Sequence, residues 1–175
     1  MYIKFTINLS KTSKNIKMNM TDLEKLKITD DIRTVMAKYV RNADSKNFKE
    51  LAGLFTSDGT FVPLDVNGDA LVEMSGRAEI AGKIAASVGQ ATAIHHLFSF
   101  EVDILSPQKV HAVFSMEDRL IRPESEKSVS LNESNVPAFR TLHGFGHYHG
   151  DFVKIDNTWY IEKLVQTRLK LDFTY

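Results

Sequence analysis

Between Thr29 and Ala43 the apolar residues Ile32, Val35, Met36, Tyr39, Val40 and Ala43 return every three or four positions, so the spacing predicts a helix with one buried side. Thr29 suits its N-cap, and Asp30 and Asp31 suit the positive end of its dipole. A second, shorter helical pattern buries Phe48, Leu51, Ala52, Leu54 and Phe55. SDGT (57–60) then predicts a turn, and TFVPLDVNGDALVEM (60–74) predicts two short strands about Asn67-Gly68. RAEIAGKIAASV, after Gly76, predicts a third helix with Ile80, Ile84 and Val88 on one side.

The period then changes to two. Four long stretches rich in aromatic and β-branched residues begin at AIHHLF (93), KVHAVF (109), AFRTLH (138) and TWYIEK (158), and turn chemistry separates them. Helices first and then a run of antiparallel strands give an α+β class. A curved sheet wrapped against the helices makes a cone whose open end is a pocket. PESEKSVSLNESNVP (123–137) is polar, flanked by proline and too long for a hairpin turn, which suggests an excursion serving as a lid or a dimer-facing loop. Residues 1–20 read as a flexible extension and 21–175 as one domain.

Composition narrows the function classes. Lys+Arg and Asp+Glu both number 22, so no basic field favours nucleic acid or an anionic membrane, and neither is an expected partner. No stretch approaches the roughly 18 apolar residues of a membrane span. Cysteine is absent, which removes disulfides, thiolate metal sites and a thiol nucleophile, and which fits a cytoplasmic location.

The informative residues are polar ones on apolar faces. Asp44 continues the inward stripe four residues after Val40, yet it also precedes SKNF, where it would cap the next helix. It is either a cap or a buried carboxylate with chemistry to do. Tyr39 sits squarely on the buried face. Alternation places Asp118 in one row with Val110, Ala112, Phe114, Met116 and Leu120, so it must be paired, protonated or in a wet pocket. His95 and His96 point to opposite faces. Strict alternation aligns His96 with Phe98, Phe100, Val102 and Ile104 and so favours it as the more buried.

In LHGFGHYHG, His143, His147 and His149 share one face, and Gly144, Gly146 and Tyr148 share the other. His147 and His149 have the spacing of a strand-borne metal pair or form a solvated face, and the solvated face is the preferred reading, with no metal expected. The glycines make room on the wall carrying Tyr148, as a ligand-lined wall requires. Arg168 is either an exposed strand-end charge or an anion or carbonyl anchor at the pocket mouth.

From about Thr29 onward the chain resembles the SnoaL-like branch of the nuclear-transport-factor-2-like superfamily, near scytalone dehydratase and the bile-acid dehydratases. The resemblance is carried by MAKYVRNADSKNFKELAGLF (36–55), SGRAEIAGKI (75–84), IHHLFSFEV (94–102) and GHYHGDFVKIDNTWYIEKL (146–164), in that order. It implies a cone-shaped α+β barrel of three helices on a curved, mostly antiparallel sheet. It implies that His95, rather than His96, partners Asp44, and that Tyr39, Asp118 and Arg168 are polar pocket residues. It further implies a homodimer through the outer sheet face and dehydration or proton transfer on a cyclic hydroxy-carbonyl compound, polyketide-like or steroid-like, without a cofactor. Leu120, Ala43 and Val62 stand where scytalone dehydratase carries other residues, so the resemblance does not extend to its substrate. The alternative is a non-catalytic small-molecule-binding or dimerisation module on the same scaffold.

Overall fold

The computed structural model describes residues 20–124 and 138–175. The first helix, α1 (Asp22–Asp44), starts seven residues before the expected cap at Thr29. Its N-cap is Thr21, whose hydroxyl accepts from the Glu24 amide at 3.2 Å while the Glu24 carboxylate accepts from the Thr21 amide at 2.7 Å. Leu23 and Leu26 on these early turns are exposed, so no apolar stripe marks them and periodicity alone misses the true start. From Ile28 onward the buried side runs through Ile32, Val35, Met36, Tyr39 and Ala43.

A short helix, α2 (Phe48–Gly53), follows, and Phe55 opens strand β1 (Phe55–Pro63) instead of closing the helix. The expected turn at SDGT is part of β1. What the glycine marks is a break in register against the last strand between Phe55 and Thr60, where a side chain at Gly59 would press on the Ile161 carbonyl. The turn at Asn67-Gly68 does form, closed by a Leu64–Ala70 bridge and by Asp65 accepting from the Asn67 and Asp69 amides. Its returning arm reaches only strand β2 (Met74–Ser75) before helix α3 (Arg77–Val88).

Four long strands complete the molecule: β3 (Thr92–Ser106), β4 (Lys109–Ile121), β5 (Thr141–Ile155) and β6 (Thr158–Thr174). The sheet order is β2-β1-β6-β5-β4-β3, with β1 parallel to β6 and every other pairing antiparallel. The three helices and the curved six-stranded sheet enclose a core that includes Ile32, Met36, Leu51, Phe55, Ile80, Phe152, Ile161 and Leu164. No described helix is long and apolar enough to cross a membrane. The polar excursion expected at 123–137 falls almost wholly outside the described residues, as does the extension expected at 1–20.

One irregularity decides which histidine faces inward. In the β3–β4 pairing His95 lies opposite Asp118 and Leu97 opposite Met116, but the next partners are Phe100 and Phe114. One extra residue on β3 therefore lies between Leu97 and Phe100. Inward residues switch from odd to even numbers across this bulge. His96 thus shares the solvent side with Phe98 and is exposed, against the strict-alternation reading.

The capping box yields a stability expectation. Thr21→Ala removes the side-chain acceptor at the α1 N-terminus and should lower stability by about 1 kcal/mol, read from thermal melting.

Candidate active site

Helix α1 ends at Asp44, and its C-cap, Ser45, is followed by Lys46 with a left-handed φ of 58°, so the chain turns sharply there. The Asp44 side chain does not cap α2, whose N-cap is Asn47. It points across to β3, where Oδ1 lies 2.6 Å from His95 Nδ1 and Oδ2 accepts from the His95 amide at 3.3 Å. A carboxylate accepts only, so His95 Nδ1 carries a proton, and in the neutral ring this tautomer keeps the lone pair on Nε2, on the far side. The His95 side chain is 11% exposed and that of Asp44 32%, so the imidazole is the more sheltered partner.

Deeper in the sheet, Asp118 of β4 and Arg168 of β6 form a buried ion pair. Arg168 Nη1 and Nη2 donate to Asp118 Oδ1 and Oδ2 at 2.5 and 2.8 Å. The strands carrying them are not neighbours, because β5 runs between. The pair meets across β5 at Gly144, where a Cβ would collide with both side chains. This glycine therefore makes room for an ion pair, a more specific task than the open wall beside Tyr148 that the sequence suggests. Arg168 is not an exposed strand-end charge: its side chain is 4% exposed and both terminal nitrogens donate to Asp118.

Burial pushes the Asp118 carboxyl up, but the hydrogen bonds and charge of Arg168 outweigh it and hold the group below its ordinary range. Burial also acts to lower the Arg168 guanidinium, and Asp118 reverses that to a net rise. Both partners are ionised at neutral pH. Tyr39 and Tyr148 are raised, chiefly by burial, so each is a neutral phenol. Their rings meet edge to face at 5.6 Å.

Gln166 completes the group and escaped the sequence reading. It is buried, and its amide nitrogen donates to Asp118 Oδ2 at 3.4 Å and to the Tyr148 hydroxyl at 3.3 Å. The signal was available, because Leu164, Gln166 and Arg168 share a face of β6 by the alternation that singled out Asp118.

A cavity of about 170 Å³ joins these residues. Tyr39, His95, Asp118, Tyr148, Gln166 and Arg168 give it one polar side, and Phe61, Met74, Ile84, Val88, Leu120 and Leu142 supply apolar wall. The other histidines named above lie elsewhere. His143 pairs with Glu117 at 2.7 Å, and His149 meets Thr167 at 3.1 Å with its ring 6.1 Å from that of His147. These groups occupy the opposite face of the strands from Asp118 and Tyr148. Burial, then the neighbouring His147 and His111, push His149 down. Among the described residues no three His, Asp or Glu side chains are grouped to hold a metal.

The ion pair predicts an acid limb of stability. Asp118 binds its proton more weakly folded than unfolded, so its contribution is complete above about pH 4, the ordinary carboxylate value, and is lost as pH falls through the lowered folded value. Asp118→Asn should remove that dependence from melting curves taken between pH 2 and 8. It should also cost roughly 3–5 kcal/mol at pH 7, because Arg168 is left buried without its countercharge.

No curated protein matches the chain in sequence. Its fold is similar to that of a "Putative Scytalone Dehydratase" from Novosphingobium aromaticivorans, with a TM-score of 0.71 at 17% identity over 89% of this chain and 93% of that one. It is also similar to hexachlorocyclohexane dehydrochlorinase LinA-type3 from Novosphingobium barchaimii, with a TM-score of 0.67 at 14% identity over 87% of this chain and 94% of that one. A type 2 form of the same dehydrochlorinase gives 0.68 at 13% identity over 89% and 94%. At such identities the likeness is one of fold. The sequence pattern of the SnoaL-like domain matches residues 24–165, most of the chain, and the protein belongs to the SnoaL-like domain family.

Proposed function

We propose that the protein is a cofactor-independent lyase that removes water from a compact cyclic hydroxy-carbonyl compound. The observation that carries this reading is the 2.6 Å contact between His95 Nδ1 and Asp44 Oδ1 beside a sheltered cavity. Imidazole titrates near neutrality in general, so one ring serves as base and then as acid. His95 Nε2 takes the proton from the carbon next to the carbonyl, and the electron pair left behind moves onto the carbonyl oxygen. The enolate then re-forms the carbonyl as the β-hydroxyl departs, and His95 returns the proton to that oxygen so that water leaves. The product is the conjugated unsaturated carbonyl compound.

Other residues support the charges this creates. Asp44 fixes the tautomer of His95 and stabilises the imidazolium. Asp118, the cross-strand partner of His95, adds a fixed negative charge on the same face. Arg168 positions Asp118, and Tyr39, neutral and on the cavity wall, donates to the oxygen where charge develops. Tyr148 supports Tyr39 and packs against the substrate ring.

Size limits the substrate. An apolar cavity of about 150 Å³ holds a benzene ring, so a hollow of about 170 Å³ suits one ring with its substituents better than four fused rings. The names of the similar structures, a dehydratase and a dehydrochlorinase, are names of eliminating enzymes and agree with this class of reaction.

His95→Ala and Asp44→Asn should each lower turnover of 3-hydroxycycloalkanones by about 10²–10⁴-fold, followed by the ultraviolet absorbance of the enone, with melting temperatures near wild type. Near-normal rates in both variants would sink the assignment. A module that only binds would instead raise the melting temperature with such ligands while giving neither enone nor deuterium exchange at the α-carbon.

A further inference from the structure

Gln166 takes no part in the proton transfers above, yet it is buried against two polar groups of the site, Asp118 and Tyr148. Its amide nitrogen has two hydrogens and lies near Asp118 Oδ2 (3.4 Å), the Tyr148 hydroxyl (3.3 Å) and the weakly accepting Met116 Sδ (3.9 Å). Asp118 is clamped as an anion by Arg168, so it only accepts. Turning the amide over would set its carbonyl oxygen against that carboxylate, and the repulsion fixes the nitrogen where it is. With one hydrogen on Asp118, the other goes to Tyr148. An amide nitrogen offers no lone pair, so the Tyr148 oxygen must accept and its own proton must point elsewhere.

The hydroxyl proton of Tyr148 then has Tyr39 as its neighbour. The two rings are in edge-to-face contact at 5.6 Å, and the Tyr148 side chain works against the burial that raises Tyr39. If Tyr39 accepts there, its own proton is the one turned toward the cavity that it lines. We propose that the Tyr148 hydroxyl donates to Tyr39 and that Gln166 is the positioning residue that fixes the direction of both hydroxyl protons, so that the cavity-wall phenol donates to a substrate oxygen. The order runs from the Arg168 guanidinium through Asp118, Gln166 and Tyr148 to Tyr39, each member leaving the next a single orientation. The inference rests on the catalytic reading for the identity of the ligand oxygen, but its consequence is visible without turnover.

4-Nitrophenol is a suitable probe, since it has one ring and its colour distinguishes the neutral phenol from the phenolate. Donors aimed at its oxygen favour the phenolate, so wild-type protein should shift the bound probe toward the yellow form at a fixed pH. Gln166→Met, of similar length and without the amide, should reduce that preference by about tenfold, or one unit in the titration of the bound probe. Gln166→Glu is nearly isosteric and, protonated, supplies one donor in place of two; it should show the same loss and serves where the Met variant does not fold. A wild-type protein that leaves the ionisation of 4-nitrophenol unchanged, or a folded variant that shifts it as wild type does, overturns the proposal. A retained shift in a protein that dehydrates nothing would instead reject the catalytic reading while leaving the proton order intact.

Discussion

A carboxylate carried on the inward row of a strand has to be matched by charge and by donors, because the interior supplies neither. Asp118 is that carboxylate, and much of the polar side of the cone follows from accommodating it. Arg168 supplies the charge from two strands away, and Gly144 leaves the passage through which the two meet. Gln166 supplies a further donor, whose amide nitrogen also reaches the Tyr148 hydroxyl. The bidentate geometry matters here, since a guanidinium matches both carboxylate oxygens at once where a lysine would meet one.

The second polar unit is built differently. Asp44 reaches His95 because α1 ends at that residue and the chain turns away immediately after it, leaving the carboxylate free to face the sheet. His95 answers because an extra residue in β3 re-aims the strand. A helix terminus and a strand bulge, neither inside a regular stretch, thus hold the pair. Asp118 lies opposite His95 in the β3–β4 ladder, so the two polar units share one face and one cavity.

The sequence by itself determined the architecture. Helical period in the first half and alternation in the second mark α1, α3 and the four long strands, because burying one side of an element imposes its period on the chain. Alternation also placed Asp118 inward, and the resemblance supported His95 as the partner of Asp44. Less was legible where a short-range signal has two meanings. Gly59 reads as a turn but marks a register break, and Thr29 reads as a cap although the capping box lies at Thr21 on a polar turn without a stripe.

Only the tertiary structure decided the rest. Whether Asp44 caps the next helix depends on what stands across from it, and the inward histidine of the 95/96 doublet depends on one inserted residue that reverses the parity of everything after it. The partnership of Asp118 with Arg168, through a gap at Gly144, joins residues on three strands. Periodicity assigns a residue to a face of its own element, whereas an ion pair or a proton order depends on distances between elements, which are set when the sheet closes over the helices.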